Sequence, residues 1–142
     1  MSGFVFGQRS LDCLFGCDAR LVKVATAALA VSPYDFGIIE GHRDLVRQAE
    51  LFAGGKSKID GVTKKGNHNY IPSRAFDFLP TGTVNGVSAW EDAPRFAVIA
   101  GVILATGAGL GIRLRWGGDW DGDGNARDQS LYDLPHIELM ED

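Results

Sequence analysis

Histidine, cysteine and basic residues are scarce in this chain, and each shortage limits what the protein can do. There are 3 histidines and 2 cysteines among 142 residues, and 14 lysines and arginines stand against 18 aspartates and glutamates. The net charge of −4 argues against nucleic acid as a partner, because neutralising phosphates requires clustered lysine and arginine. Cys13 and Cys17 alone make a poor metal site, and we interpret them as ordinary thiols. Their spacing would suit one face of a helix, but Gly16 leaves that helix undecided.

Long apolar segments are also missing. The first residues show no basic region followed by an apolar run, so no signal peptide is predicted. The longest uncharged stretch, residues 96–112, is short for a membrane span and contains four glycines. We therefore predict a buried core helix in this stretch and no insertion of the chain into a membrane.

A single α+β domain is predicted over residues 1–142, since no repeat or linker divides the chain and its length supports one core. Periodicity, capping residues and turn residues mark three helices and four strands. Because they are mixed without a repeating βαβ pattern, we expect a small antiparallel sheet with flanking helices. The predicted helices are 19–30 (capped by Asp18 and closed by Pro33), 44–53 and 90–106; the strands are 35–40, 75–79, 113–116 and 136–139; residues 56–70 and 117–130 are loops.

Three residues, His68, Asp77 and His136, predict a metal site. Asp77 stands between two phenylalanines, and His136 lies on an otherwise apolar strand. Burying a charge is costly unless the group is paired or bound to a metal. Two imidazoles and one carboxylate form the ligand set of an open catalytic zinc site, which leaves a position free for water. Asp133, three residues before His136, could handle the protons of that water, so the pattern predicts a zinc hydrolase.

The loop after residue 118 predicts a second, weaker cation site. Asp119, Asp121 and Asp123, followed by a glycine, match the first half of an EF-hand calcium loop. The twelfth position of an EF-hand loop, which normally supplies a glutamate ligand, is occupied here by Ser130. Asp128 could supply a carboxylate in place of that glutamate. Three close carboxylates repel one another without a cation, so calcium is predicted here. A plain acidic turn stays open, as does a role for Asp119 behind the zinc site.

Five blocks of sequence carry a resemblance that covers nearly the whole chain: 6–11, 39–43 with Gln48, 68–77, 116–120 and 133–138. In these blocks and in their order, the sequence resembles one family of zinc peptidases. The family includes D-alanyl-D-alanine carboxypeptidases and dipeptidases and the L-alanyl-D-glutamate endopeptidases of phage lysins. The resemblance implies the fold shared by hedgehog domains and D,D-peptidases.

The resemblance also implies a role for individual residues. It implies the same three zinc ligands, and Asp133 as the catalytic carboxylate that takes a proton from water and later gives one to the leaving amine. It implies that Arg43 faces the substrate carbonyl, where a permanent cation would stabilise the developing oxyanion. Gln48 and Glu138 are expected beside the substrate or in the shell around the ligands.

The spacing between the first two ligands departs from the family pattern. Gly66 stands where the family usually has serine, and Ser73 stands where it has glycine. Asp77 follows His68 by nine residues, whereas the family spacing is seven. We predict a two-residue insertion within 69–72, which a loop can absorb at small entropic cost.

The leading hypothesis is a phage-lysin endopeptidase that cuts peptidoglycan between L-alanine and D-glutamate of the stem peptide. One alternative is a D-alanyl-D-alanine carboxypeptidase or dipeptidase, and another is a non-catalytic zinc-binding module of the same fold. The absence of a signal peptide favours a lysin, made in the host cytoplasm and released onto periplasmic peptidoglycan. The protein is expected to be a monomer without a separate domain for binding the cell wall.

Overall fold

The computed structural model describes residues 3–43, 45–55, 66–119, 122 and 133–140, and for 45–48 only the backbone. These residues form four α-helices, four strands and two short 3₁₀ turns. The helices are α1 (Gln8–Phe15), α2 (Ala19–Val31), α3 (Leu45–Ala53) and α4 (Ala93–Gly109); the strands are β1 (Phe36–Glu40), β2 (Ala75–Pro80), β3 (Leu114–Gly117) and β4 (Asp133–Leu139); the 3₁₀ turns are Asn67–Asn69 and Ala89–Glu91.

The strands form one antiparallel sheet in the order β1-β2-β4-β3. The predicted α+β class with a small antiparallel sheet is therefore confirmed. The order places β2 and β4 side by side in the middle of the sheet. These two strands carry Asp77 and His136, so the sheet topology brings together residues that are far apart in sequence.

Two predicted boundaries were wrong in ways that have physical causes. Helix α4 begins at Ala93, not at residue 90, because the Asp92 side chain accepts a hydrogen bond from the Arg95 backbone and caps the helix. Pro94 then occupies its first turn, where proline is tolerated. Strand β4 begins at Asp133, three residues before the predicted start. As a result Asp133 and His136 belong to the same strand.

The hydrophobic core lies where α4 packs against α2 and against β2, β3 and β4. Phe78 sits between Phe36 and Phe96, with ring centroids 5.9 Å and 5.5 Å away in edge-to-face contacts. Ile99 and Ile103 of α4 are fully buried in this core, which confirms the predicted core helix. Within the described ranges, no helix is long and apolar enough to cross a membrane.

Alternation along the central strands separates the core from the opposite face of the sheet. On β2, Phe76 and Phe78 are fully buried among the core side chains, so Asp77 between them points to the other face. On β4, Ile137 belongs to the core, and His136 before it therefore shares the face of Asp77. The register pairs Asp77 directly with His136.

A β-bulge in β1 extends this row of polar residues to a third strand. Ile38 pairs with Phe78, but the next pair along the ladder joins Glu40 to Asp77. The extra residue in β1 shifts the register by one, so Glu40 replaces Ile39 opposite Asp77. Glu40, Asp77 and His136 thus lie side by side across β1, β2 and β4.

The two cysteines are separated by the end of α1. The helix stops at Phe15, so Cys17 follows it, and both thiols are free. Burial raises the pKa of Cys17 to about 12, which keeps it protonated at neutral pH. This agrees with the interpretation of both residues as ordinary thiols.

Replacing Phe78 by alanine should destabilise the protein by about 3–5 kcal/mol, because it leaves a cavity between two packed rings. The matched control is Phe15→Ala, since the Phe15 side chain is 92% exposed. That change should alter the free energy of unfolding by less than about 0.5 kcal/mol. Denaturant unfolding measures both values, and equal losses in the two variants would contradict this account of the core.

Candidate metal centre

Three side chains from different parts of the chain meet on the polar face of the sheet. His68 comes from the 3₁₀ turn before β2, Asp77 from β2 and His136 from β4. His68 Nε2 lies 3.1 Å from Asp77 Oδ1 and 3.2 Å from His136 Nδ1, and His136 Nδ1 lies 3.4 Å from Asp77 Oδ1. Both histidines are buried. The structure therefore brings together the residues selected from the sequence.

The spacing of these three atoms fits a small metal ion. A tetrahedral ion with bonds of about 2.0–2.1 Å separates its ligand atoms by about 3.3–3.4 Å. The three measured separations, 3.1, 3.2 and 3.4 Å, lie close to that value. Two imidazole nitrogens and one carboxylate oxygen also form a donor set that transition metals bind. This group can hold a metal ion.

The tautomer of His68 is set by a backbone carbonyl. Nδ1 of His68 lies 2.7 Å from the carbonyl oxygen of Gly41. A carbonyl oxygen only accepts, so Nδ1 carries the proton and donates. Nε2 keeps its lone pair and faces the other two ligands, which is the arrangement that metal-binding histidines require.

The orientation of His136 is set by a carboxylate that is itself paired. Nε2 of His136 donates to Glu138 Oε1 at 2.7 Å, and Arg115 Nη2 donates to Glu138 Oε2 at 2.6 Å. Burial would raise the pKa of Glu138, but the hydrogen bond from His136 and the charge of Arg115 lower it to about 2. Glu138 is therefore an ionised acceptor, and Nδ1 of His136 is left for a metal.

The electrostatics of the centre favour a positive charge. Burial would raise the pKa of Asp77, yet the neighbouring imidazoles of His136 and His68 hold it well below its usual range. Burial likewise disfavours a charged His136, but the carboxylates of Asp77 and Glu138 stabilise the charged form and raise the pKa of that imidazole to about 9. Protons and metal ions compete for such ligands, so the same carboxylates that attract a proton will attract a metal.

Asp133 lies at the edge of the centre and is the most exposed of its carboxylates. Its side chain is 45% exposed, and Oδ2 is 3.9 Å from Nδ1 of His136. Partial burial and the nearby charge of Asp77 raise the pKa of Asp133 above its ordinary value. A carboxylate that is close to these three side chains yet open to solvent could exchange protons with a water molecule in the centre.

The Trp-Gly-Gly block holds the start of β4 in place. Trp116 Nε1 donates to the carbonyl oxygen of Leu134 at 2.7 Å. A Cβ on Gly117 would lie 2.1 Å from the carbonyl oxygen of Asp133, so only glycine allows this approach. The block therefore has a structural reason to stand beside Asp133, one that the sequence pattern alone does not reveal.

Arg43 is held by a carboxylate that the sequence analysis did not single out. Its Nε and Nη2 donate to the two oxygens of Glu40, each at 2.8 Å, while Nη2 is 3.9 Å from Asp77 Oδ2. Burial works against the charge, but the hydrogen bond and charge of Glu40 outweigh it and raise the pKa of Arg43. The arginine is a fixed cation beside the His68–Asp77–His136 group.

Several predicted site residues fall outside the described part of the chain. Gln48 lies on α3, but its side chain is not among those described. Asp121 and Asp123 are outside the described residues, as is the rest of the loop from 123 to 132. Asp119 is described, and its backbone N–H donates to the Trp116 carbonyl at 3.1 Å. The calcium site stays a prediction.

Comparison with known proteins identifies the family. The model of a family described as phage L-alanyl-D-glutamate peptidase matches residues 1–140. The chain belongs to this family. It is 36% identical over 140 residues to the L-alanyl-D-glutamate peptidase of Escherichia phage T5, covering 96% of this chain and 98% of that protein.

A solved structure supports the same assignment. The crystal structure of the Serratia marcescens L-Ala D-Glu endopeptidase ChiX matches with a TM-score of 0.74 and 29% identity, covering 96% of this chain and 90% of that one. The resemblance inferred from the sequence is thus confirmed, and the matched proteins represent its endopeptidase branch. The chain is a peptidase with a buried group that can bind a metal ion.

Replacing Glu138 by alanine should weaken metal binding by about 10–100-fold, the usual cost of removing the partner of a metal-binding histidine. Without the carboxylate, the ring of His136 loses the hydrogen bond that fixes its tautomer and orientation. Competition with a chromophoric chelator measures the affinity. Glu91→Ala, a change at an exposed position in the Ala89–Glu91 turn, is the control; a Glu138→Ala affinity equal to that control would contradict the assignment.

Proposed function

We propose that this chain is a zinc-dependent peptidoglycan endopeptidase of the phage-lysin type, which hydrolyses the L-alanyl-D-glutamate bond of the stem peptide. The observation that carries the proposal is the His68–Asp77–His136 group with Asp133 3.9 Å from one ligand atom, in a chain of this peptidase family. The phage T5 and Serratia relatives are both named for activity on that bond.

Zinc is the metal we propose, because two imidazoles and one carboxylate are its usual catalytic ligand set. When bound, zinc supplies a Lewis acid and lowers the pKa of a water molecule to about 7. His68, Asp77 and His136 would hold the ion. Gly41 and Glu138 keep the two imidazoles in the tautomers that binding requires.

Asp133 is proposed as the group that moves protons. It takes a proton from the attacking water and delivers one to the nitrogen of the leaving amino acid. Its raised pKa suits a carboxylate that must hold a proton between these two events. Its partial exposure leaves room for a substrate over the centre.

Arg43 is proposed to bind the substrate carbonyl and to stabilise the negative charge that develops on its oxygen. Such a donor commonly lowers the barrier by about 3–4 kcal/mol. Nε and Nη2 of this guanidinium donate to the two carboxylate oxygens of Glu40. This bidentate pair restricts the rotation of the guanidinium. A cation that is already oriented costs little reorganisation during the reaction.

We infer that the protein is made in the host cytoplasm and reaches periplasmic peptidoglycan after release, as a monomer of one catalytic domain. The family assignment supports this place of action. The stem peptide is the proposed partner.

The zinc-loaded protein should release fragments from purified peptidoglycan that carry a new carboxyl-terminal L-alanine and a new amino-terminal D-glutamate. Mass analysis of the soluble products identifies the bond. Release of free D-alanine instead would show a D,D-carboxypeptidase, and no product from zinc-loaded protein would favour a non-catalytic module.

A chelator should abolish product release, zinc should restore it, and His136→Ala should lose the metal and the activity together.

Replacing Asp133 by asparagine should leave the zinc content unchanged and lower turnover by about 100-fold or more, the usual scale for a general acid–base group. The amide keeps the size of the side chain but removes its ability to accept the proton. Asp35→Asn, immediately before β1, makes the same chemical change away from the centre and should be neutral. If zinc leaves with the Asp133 carboxylate, that residue is a ligand and the assignment of Asp77 must be revised.

A further inference from the structure

Asn69 has a buried amide with both ends hydrogen bonded. The residue is 4% exposed and directly follows His68. Its Oδ1 accepts from the backbone N–H of Gly66 at 2.8 Å, and its Nδ2 donates to the carbonyl oxygen of Arg43 at 2.9 Å. Because an N–H only donates and a carbonyl only accepts, these two partners allow a single orientation of the amide.

The bond to Arg43 and two others among the described residues join the segment 41–43 to the turn Asn67–Asn69. The backbone N–H of Arg43 donates to the carbonyl of His68 at 2.7 Å, and Nδ1 of His68 donates to the carbonyl of Gly41 at 2.7 Å. Segment 41–43 is thus tied at both ends to the turn Asn67–Asn69. Of the three bonds, the one from Asn69 is made by a side chain that is not a proposed metal ligand.

Together these bonds hold the guanidinium of Arg43 in position. Glu40 fixes the tip of Arg43, while Asn69 and His68 fix its backbone. The backbone bonds set the distance between Arg43 and the proposed ligands, because His68 is both one of those ligands and a partner in these hydrogen bonds. A displacement of about 1 Å in a catalytic group can cost on the order of 100-fold in rate.

We propose that Asn69 is a positioning residue that sets Arg43 relative to the metal ligands for hydrolysis. The inference rests on the proposed function, because it assumes that Arg43 acts on the substrate. Asn69 opens the segment 69–72, where the chain is predicted to carry two residues more than the family pattern. The Asn69 side chain, which accepts from the Gly66 N–H, therefore also joins the segment 69–72 to Arg43.

The chain offers a matched control in the same turn. Asn67 is the same residue type two positions earlier and is less buried. It contributes its backbone carbonyl, which accepts from the Arg74 N–H at 2.9 Å. Asn67→Asp therefore adds the same charge to the same turn as Asn69→Asp without removing the bond to Arg43.

The experiment is a double-mutant cycle on zinc-loaded protein with a soluble stem-peptide fragment as substrate. Asn69→Asp, Asn69→Ala and Asn67→Asp are made in the wild type and in Arg43→Ala. Asn69→Asp keeps an acceptor for Gly66 and loses the donor to Arg43. We expect both Asn69 variants to lower kcat by about 10-fold or more with a smaller change in KM, and Asn67→Asp to stay near wild type. In the Arg43→Ala background the Asn69 effect should disappear.

A spectroscopic readout accompanies the kinetics and does not depend on turnover. The Nε–H resonance of Arg43, assigned by its loss in Arg43→Lys, should shift in Asn69→Asp and not in Asn67→Asp. Losses in kcat that are additive with Arg43→Ala, or an unchanged Nε–H resonance, would overturn the proposal. An inactive wild type would overturn the proposed function and this role with it, whereas an active wild type with an additive cycle overturns only the role of Asn69.

Discussion

The pairing of β2 with β4 is the constraint on which the site depends. Its register sets Asp77 directly opposite His136, with Phe76, Phe78 and Ile137 buried on the other face. A slip of one residue would turn the carboxylate into the core and the phenylalanines to solvent. The hydrophobic core therefore stabilises the register, and the register places two of the three proposed ligands.

The charges gathered on that face favour a cation in the centre. Asp77 and Glu138 are buried or nearly so, and an isolated buried carboxylate would be strongly destabilising. Each is offset by partners: the two imidazoles for Asp77, and His136 with Arg115 for Glu138. This chain of pairs runs outward from the ligand atoms to Arg115, whose side chain is 40% exposed. A metal ion would complete the neutralisation at its inner end.

The two proposed catalytic groups stand at the start of β4 and just after the end of β1. Asp133 opens β4, where the backbone of Gly117 comes too close for any side chain. Arg43 follows β1 and is held by Glu40 and by the turn that carries His68. Strands β2 and β4 carry Asp77 and His136, whereas His68 lies on the turn Asn67–Asn69. A sheet with side chains fixed at the ends of its strands suits a site that must keep its geometry during a reaction.

The sequence by itself determined the fold class, the core helix and the residues His68, Asp77 and His136. Alternation on a strand and the position of a charge among apolar residues are local signals that the sequence shows directly. The five blocks that resemble the family implied the same three residues as ligands. Only the tertiary structure decided the partners: Glu40 for Arg43 through a β-bulge, Arg115 for Glu138 through the β3–β4 register, and Asn69 for the Arg43 backbone. These contacts depend on how separate segments pack against one another. The periodicity within a single segment does not predict that packing.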